Sequence, residues 1–129
     1  MHRRFLMLAA LLSSAMLRPA WAADVTPYEQ AAFAAAETAG KPILVAIHAS
    51  WCPVCAKQRP ILSQLEQQPA FKDLVVFMVD FDSQKSVVAA LGASKQSTLI
   101  VFHGNVEKGR SVGDTNAGKI EELLAKSMT

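Results

Sequence analysis

The chain has 129 residues, 51% of them hydrophobic and 19% charged, with a formal net charge of +2. That balance fits one globular domain and excludes a disordered chain. It gives no case for nucleic acid either: setting aside Arg3, Arg4 and Arg18 takes Lys+Arg from 13 to 10 against 11 acidic residues, and nucleic-acid binding ordinarily needs a basic face.

His2-Arg3-Arg4, the apolar run Phe5 to Leu12 and the small-x-small Ala20-Trp21-Ala22 together read as a cleavable secretory signal over residues 1–22. The domain proper is then 23–129, and its expected location is periplasmic or secreted. A membrane anchor is the competing reading, but the run is too short for about 30 Å of hydrocarbon. Arg18-Pro19 also breaks its end, so no stable membrane span is expected after cleavage.

Thr26-Pro27-Tyr28-Glu29 has the marks of a helix start: a hydroxyl cap, proline at the first helical position and glutamate three residues after the cap. A helix is predicted from Pro27 to about Thr38, stopped by Gly40 and Pro42. Ile43 to Ile47 is a continuous apolar run, the pattern of a strand buried on both faces. It leads straight into His48-Ala49-Ser50-Trp51-Cys52.

After the cysteines, helical spacing through Ile61, Leu62 and Leu65 predicts a helix over Ala56 to Gln68, with Pro60 removing one donor inside it. Leu74 to Phe81 reads as a second central strand, Ser83 to Leu91 as a helix ended by Gly92, and Thr98 to Phe102 as a third strand. His103-Gly104-Asn105 is a turn, which makes Val106 to Val112 the hairpin partner. A last amphipathic helix turns Ile120, Leu123 and Leu124 to the sheet. Helices interleaved with buried strands give an α/β layered fold with a mixed central sheet flanked by helices.

The only cysteines are Cys52 and Cys55. A pair separated by two residues closes too small a loop to be a useful staple, so redox exchange and metal binding are the stronger readings. Disulfide exchange needs a nucleophilic thiolate and a second thiol near enough to resolve the mixed disulfide. Placed at a strand-to-helix junction, Cys52 faces unpaired N–H groups and the positive end of the helix dipole, with Cys55 one turn in. Cys52 is thus expected to be the exposed, more acidic thiol and Cys55 the shielded one.

The chain here resembles the thioredoxin superfamily over nearly all of 23–129. Trp51 before the first cysteine, Pro60 five residues after the second, the hairpin and Gly113 before the last helix all fall in register. The resemblance implies a thioredoxin-like three-layer fold and thiol-disulfide exchange on protein thiols and disulfides. A separate redox protein would be the electron partner, and no cofactor is expected. Catalysis would fall to Cys52 and Cys55, with Trp51, Gln96, Ser97 and Thr98 binding substrate.

Three positions depart from the family. Ala46 stands where thioredoxins have a buried aspartate, Met78 where they commonly have its lysine partner, and Ser97 where they have a cis-proline. A cis bond before a non-proline residue costs about 2.5–4 kcal/mol, so a trans bond is expected before Ser97. Pro53-Val54 lacks the histidine of strongly oxidising members, which implies a reductase-like or intermediate potential.

The other side chains leave alternatives open. His48, four residues before Cys52, is either a packed histidine or a proton acceptor for Cys55 or third ligand. Two soft thiolates suit Cu(I), and family members without the cis-proline can use that position for a ligand. A Cu(I)-binding or assembly module is therefore one alternative to exchange; a redox-inactive adaptor that uses the groove only for binding is another. Zinc would need more ligands than the pair supplies, and no metal residue is assigned. His103 reads as a turn residue, and Asp80 and Asp82 as solvated or capping residues.

Overall fold

The computed structural model describes residues 22–129. The signal reading lies outside the described residues, apart from Ala22 at its end. In chain order the elements are β1 (Asp24–Pro27), α1 (Gln30–Thr38), β2 (Pro42–His48), α2 (Pro53–Glu66), a 3₁₀ turn (Pro69–Phe71), β3 (Val75–Asp80), α3 (Lys85–Ala90), β4 (Thr98–His103), β5 (Val106–Val112) and α4 (Ala117–Lys126).

Side chains alternate across a strand, and the apolar runs of β2, β3 and β4 therefore feed two cores. Leu44, Ala46, Val76, Leu99 and Val101 pack on one face with Leu62 and Leu65 of α2 and Ile120, Leu123 and Leu124 of α4. Ile43, Val45, Ile47, Phe77, Val79, Ile100 and Phe102 pack on the other with Phe33 and Ala36 of α1 and Val88 of α3. The result is a three-layer α/β domain. Ile120 and Leu124 are fully buried, each contributing about 1.5–3 kcal/mol by transfer from water.

The described sheet has five strands in the order β1-β3-β2-β4-β5. β2 runs parallel to β3, from Ile43↔Val75 to His48↔Asp80, and antiparallel to β4, with Ile47 opposite Thr98. The hairpin to β5 closes through Gly104-Asn105. Gly40, at φ 68°, follows the end of α1 in the left-handed conformation that glycine adopts without Cβ strain. At α4, the Asn116 side chain accepts the Lys119 N–H at 3.0 Å, satisfying one of the unpaired donors of the first turn.

The start of the domain differs from the sequence reading. Thr26 and Pro27 are not a cap and first helical residue; they end β1, which pairs parallel with β3 from Asp24↔Val75 to Pro27↔Met78. The helix begins at Gln30, with Glu29 at its cap. A local cap signal loses here to pairing with a strand some 50 residues away, which no local pattern reports. An edge strand also tolerates the proline. Tyr28 then turns into an aromatic cluster with Phe33 and Phe77. At the other elements the boundaries move by a few residues, most at α2, which begins at Pro53 rather than Ala56.

Glu66 ends α2 buried, paired with Arg59 at 2.5 Å. Burial raises its pKa and is the larger effect; Arg59 pulls the other way. A raised folded pKa means that stability is fullest below the unfolded pKa and falls as pH rises through the folded value. Glu66→Gln lacks this titration, so the variant should gain in melting temperature relative to the native chain as pH rises from about 4 to 7. Melting curves that run parallel across that range would show that the ion pair cancels the burial effect.

Candidate active site

Because β2 and β3 are parallel, both end at the same edge of the sheet, and antiparallel β4 begins there. The loop after β2, Phe81 and Asp82 after β3, and Ser97 before β4 thus come together, at the end of the sheet where crevices of α/β folds lie. Gly113, after β5, joins them by donating its N–H to the Ser97 carbonyl at 3.0 Å.

Cys52 is the N-cap residue of α2, with Pro53 following at the start of the helix; its sulfur accepts the Cys55 N–H at 3.2 Å. A cap position suits an anionic sulfur, because the first-turn N–H groups have no partner within the helix. Cys55 lies one turn in. Both thiols are free.

The expected contrast in exposure is absent: Cys52 is 3% exposed and Cys55 9%. The two pack together with Ala49, and Val54 and Phe81 lie against the cluster. What separates them is position, Cys52 at the cap of α2 and Cys55 inside the helix. Burial pushes the Cys55 thiol pKa up, as does its hydrogen bond with Cys52, while the backbone amides of Ala49 and Ser97 pull it down.

Trp51 is 56% exposed beside the pair. Its indole N–H donates to Asp82 Oδ2 at 2.7 Å, and its ring meets Phe81 edge-on at 6.5 Å. An exposed aromatic face is thereby fixed next to Cys52. Asp82 is part of this arrangement, which its sequence context did not reveal. Asp80 does cap: it accepts the N–H groups of Asp82 and Ser83, and the Ser83 amide leads in holding its carboxyl below the usual range.

Behind Cys55 is a cavity of about 190 Å³, lined by His48, Arg59 and Met78 among others. Ala46 and Met78, opposite one another in the β2–β3 ladder, both face it, so the cavity occupies the place of the family's buried aspartate and lysine. His48 is half-buried and shares the cavity with both cysteines. Among the described residues no group of three or more His, Cys, Asp or Glu is placed to hold a metal ion, so His48 does not complete a three-ligand set with the pair.

The bond before Ser97 is trans, as expected, but Ser97 takes a φ of 58°. Its hydroxyl donates to the Gln96 carbonyl at 2.6 Å. Thr98 is buried in the ladder, with its hydroxyl on the Lys95 carbonyl. Of Gln96, Ser97 and Thr98, Gln96 has the most open side chain. Gln58, which the sequence reading passed over, is buried and donates to the carbonyls of Ser97 and Asp114. His103 sets Nδ1 against the Ser127 carbonyl at 2.8 Å and ties β4 to the end of α4.

Comparison with known proteins agrees with this geometry. The family model described as Thioredoxin matches residues 24–126. A thioredoxin-like protein of Edwardsiella tarda superposes with a TM-score of 0.77 at 44% identity, covering 78% of this chain and 98% of that one. The H-type thioredoxin of Chlamydomonas reinhardtii is 33% identical over 67% of this chain and 74% of its own length. The chloroplastic thioredoxin-like protein HCF164 of rice is 42% identical over 50% of this chain, and the match spans only 22% of that longer protein.

Proposed function

Since the chain belongs to the thioredoxin family, we propose that it exchanges thiols and disulfides with other proteins through Cys52 and Cys55, outside the cytoplasm. The observation that carries this reading is the Cys52 sulfur at the cap of α2, receiving the N–H of Cys55 one turn away.

In the reducing direction the Cys52 thiolate attacks one sulfur of a substrate disulfide. An S–S bond forms to Cys52 as the substrate bond breaks, and the released thiolate takes up a proton. Cys55 loses its proton and attacks Cys52, forming the Cys52–Cys55 disulfide and freeing the second substrate thiol. Two electrons pass from the pair to the substrate, and a partner dithiol protein restores them. Reversed, the same steps oxidise a dithiol.

In this reading His48 takes the Cys55 proton across the cavity they share. The substrate lies extended along Gln96, Ser97 and Thr98 against the exposed face of Trp51, in the manner of strand addition. Pro53-Val54 supports a reductase-like or intermediate potential, which equilibration with glutathione measures. The export reading rests on residues 1–22, and among the described residues no helix is long and apolar enough to cross a membrane.

The test is insulin reduction by metal-free protein recovered from the exported fraction, with its mass giving the first residue. Reduction at rates well above the free reductant, by a chain beginning at or within two residues of Ala23, is the expected result. A metal-free protein without activity would favour the metal-binding or adaptor readings, and an uncleaved chain would overturn export.

A further inference from the structure

Phe81 packs against the cluster of Cys52 and Cys55 and meets the Trp51 ring edge-on. It also lines a hollow of about 290 Å³, together with Val88 and Ala89 of α3, Ala93 and Ser94 beyond that helix, and Lys85. Ala93 and Ser94 belong to a second hollow as well, of about 320 Å³, which continues past Lys95, Thr98 and Arg110 to Val112 on the edge strand β5. The shared residues join the two into one groove that starts beside the cysteine pair.

The first half of the groove is mainly apolar, and its charges have one sign. Lys85, Lys95 and Arg110 line it and no acidic side chain does, although outside residues 1–22 the chain carries 10 Lys and Arg against 11 Asp and Glu. The acids that adjoin it are engaged: Asp82 accepts the Trp51 indole N–H, and Glu107 pairs with Arg110. Arg110 also donates to the carbonyls of Leu91 and Gly92, which makes it part of the wall. Lys85 and Lys95 are different. Both are exposed, and neither has an ion-pair partner among the described residues. Lys85 moreover opens α3, whose first turn holds no acid, and the positive end of a helix disfavours a cation. Stability of the helix does not explain its charge.

We propose that this groove docks an acidic segment of the protein that exchanges disulfides with Cys52. An aliphatic or aromatic side chain of that segment enters between Phe81, Val88 and Ala93, and carboxylates on either side of it meet Lys85 and Lys95. The buried apolar area supplies affinity, while the charges select the partner and speed its encounter. A basic segment would meet the same apolar floor but set like charges against both lysines. Because Phe81 is shared with the cysteine cluster and Lys95 adjoins Gln96, a partner seated here presents its disulfide beside Trp51 and Cys52. The identity of the partner rests on the exchange reading; the docking does not, and its test needs no turnover.

The probes are two short cysteine-free peptides, one with a leucine flanked by glutamates and the other with lysines in their place. Each is titrated into the native reduced protein and followed by amide NMR shifts. The glutamate peptide should move Val88, Ala89, Ala93 and Ser94 saturably, and the lysine peptide should bind at least about fivefold more weakly. Lys85→Ser with Lys95→Ser should abolish that preference. Salt at about 0.5 M should abolish it in the native protein without any substitution. Equal binding of the two peptides, a preference that survives the substitutions or the salt, or no shift at these residues would overturn the proposal. Insulin reduction by a protein that neither peptide shifts would keep the exchange function and remove the groove from it. Shifts without insulin reduction would sink the exchange reading and leave the docking surface standing.

Discussion

Replacing Cys55 with serine should fill the protein with mixed disulfides joined through Cys52, while replacing Cys52 should trap none and drop insulin reduction to the rate of the free reductant. Access does not set this order, since both side chains are buried. The place where charge is tolerated does. The Cys52 sulfur sits at the N-terminus of α2 and accepts an N–H there, so negative charge is favoured before and during attack. Cys55 is held toward its neutral form chiefly by burial, which suits a thiol that must wait until the mixed disulfide has formed. Without it the first step proceeds and the second cannot, and the covalent intermediate accumulates. Affinity purification without reductant then yields the partners, and limiting iodoacetamide should label Cys52 of the native protein first. Equal trapping by Cys52→Ser, or preferential labelling of Cys55, would reverse the assignment.

The parts of this site that were legible in the sequence are those whose signal is local. A continuous apolar run announces β2, the spacing of two places both cysteines on the first turn of α2, and the 3.6-residue period places Ile120, Leu123 and Leu124 against the sheet. The parts that were missed depend on distant partners. β1 is a strand only because β3 lies beside it, and Asp82 matters only because the Trp51 indole reaches it from 31 residues away. Gln58 did leave a trace: it precedes Leu62 by four residues and so falls on the apolar stripe of its helix, where a polar side chain calls for a partner. The trans bond before Ser97 followed from the energetics of non-proline peptides. The positive φ did not, because serine carries no local preference that demands it. Helix-end electrostatics distinguished the two thiols, but it has no bearing on how closely Val54 and Phe81 pack over them.

Introducing aspartate at Ala46 should weaken the fold and quicken the chemistry together. Ala46 is 3% exposed, in the middle of β2, and faces the cavity behind Cys55 with Met78 and Arg59. The cavity, about 190 Å³, takes the two extra oxygens and carbon without crowding, so the loss comes from polarity rather than volume. A buried carboxyl with few hydrogen-bond partners should lower stability by about 2–4 kcal/mol, read from denaturant midpoints. Burial will also raise its pKa while the Arg59 charge opposes the rise, bringing it nearer the range in which a carboxylate can accept the Cys55 proton at neutral pH. The single-turnover decay of a preformed mixed disulfide should therefore quicken between about pH 6 and 8. The same variant tests His48. If the imidazole now accepts that proton, His48→Asn should slow the decay and steepen its dependence on pH, and Ala46→Asp added to it should restore the rate, because the new carboxylate supplies the missing acceptor. A His48→Asn protein whose decay matches the native one throughout that range would remove His48 from the mechanism and leave it a packing residue paired with Asp80 across the ladder. An Ala46→Asp protein that is less stable but no faster would show that proton removal from Cys55 does not limit resolution.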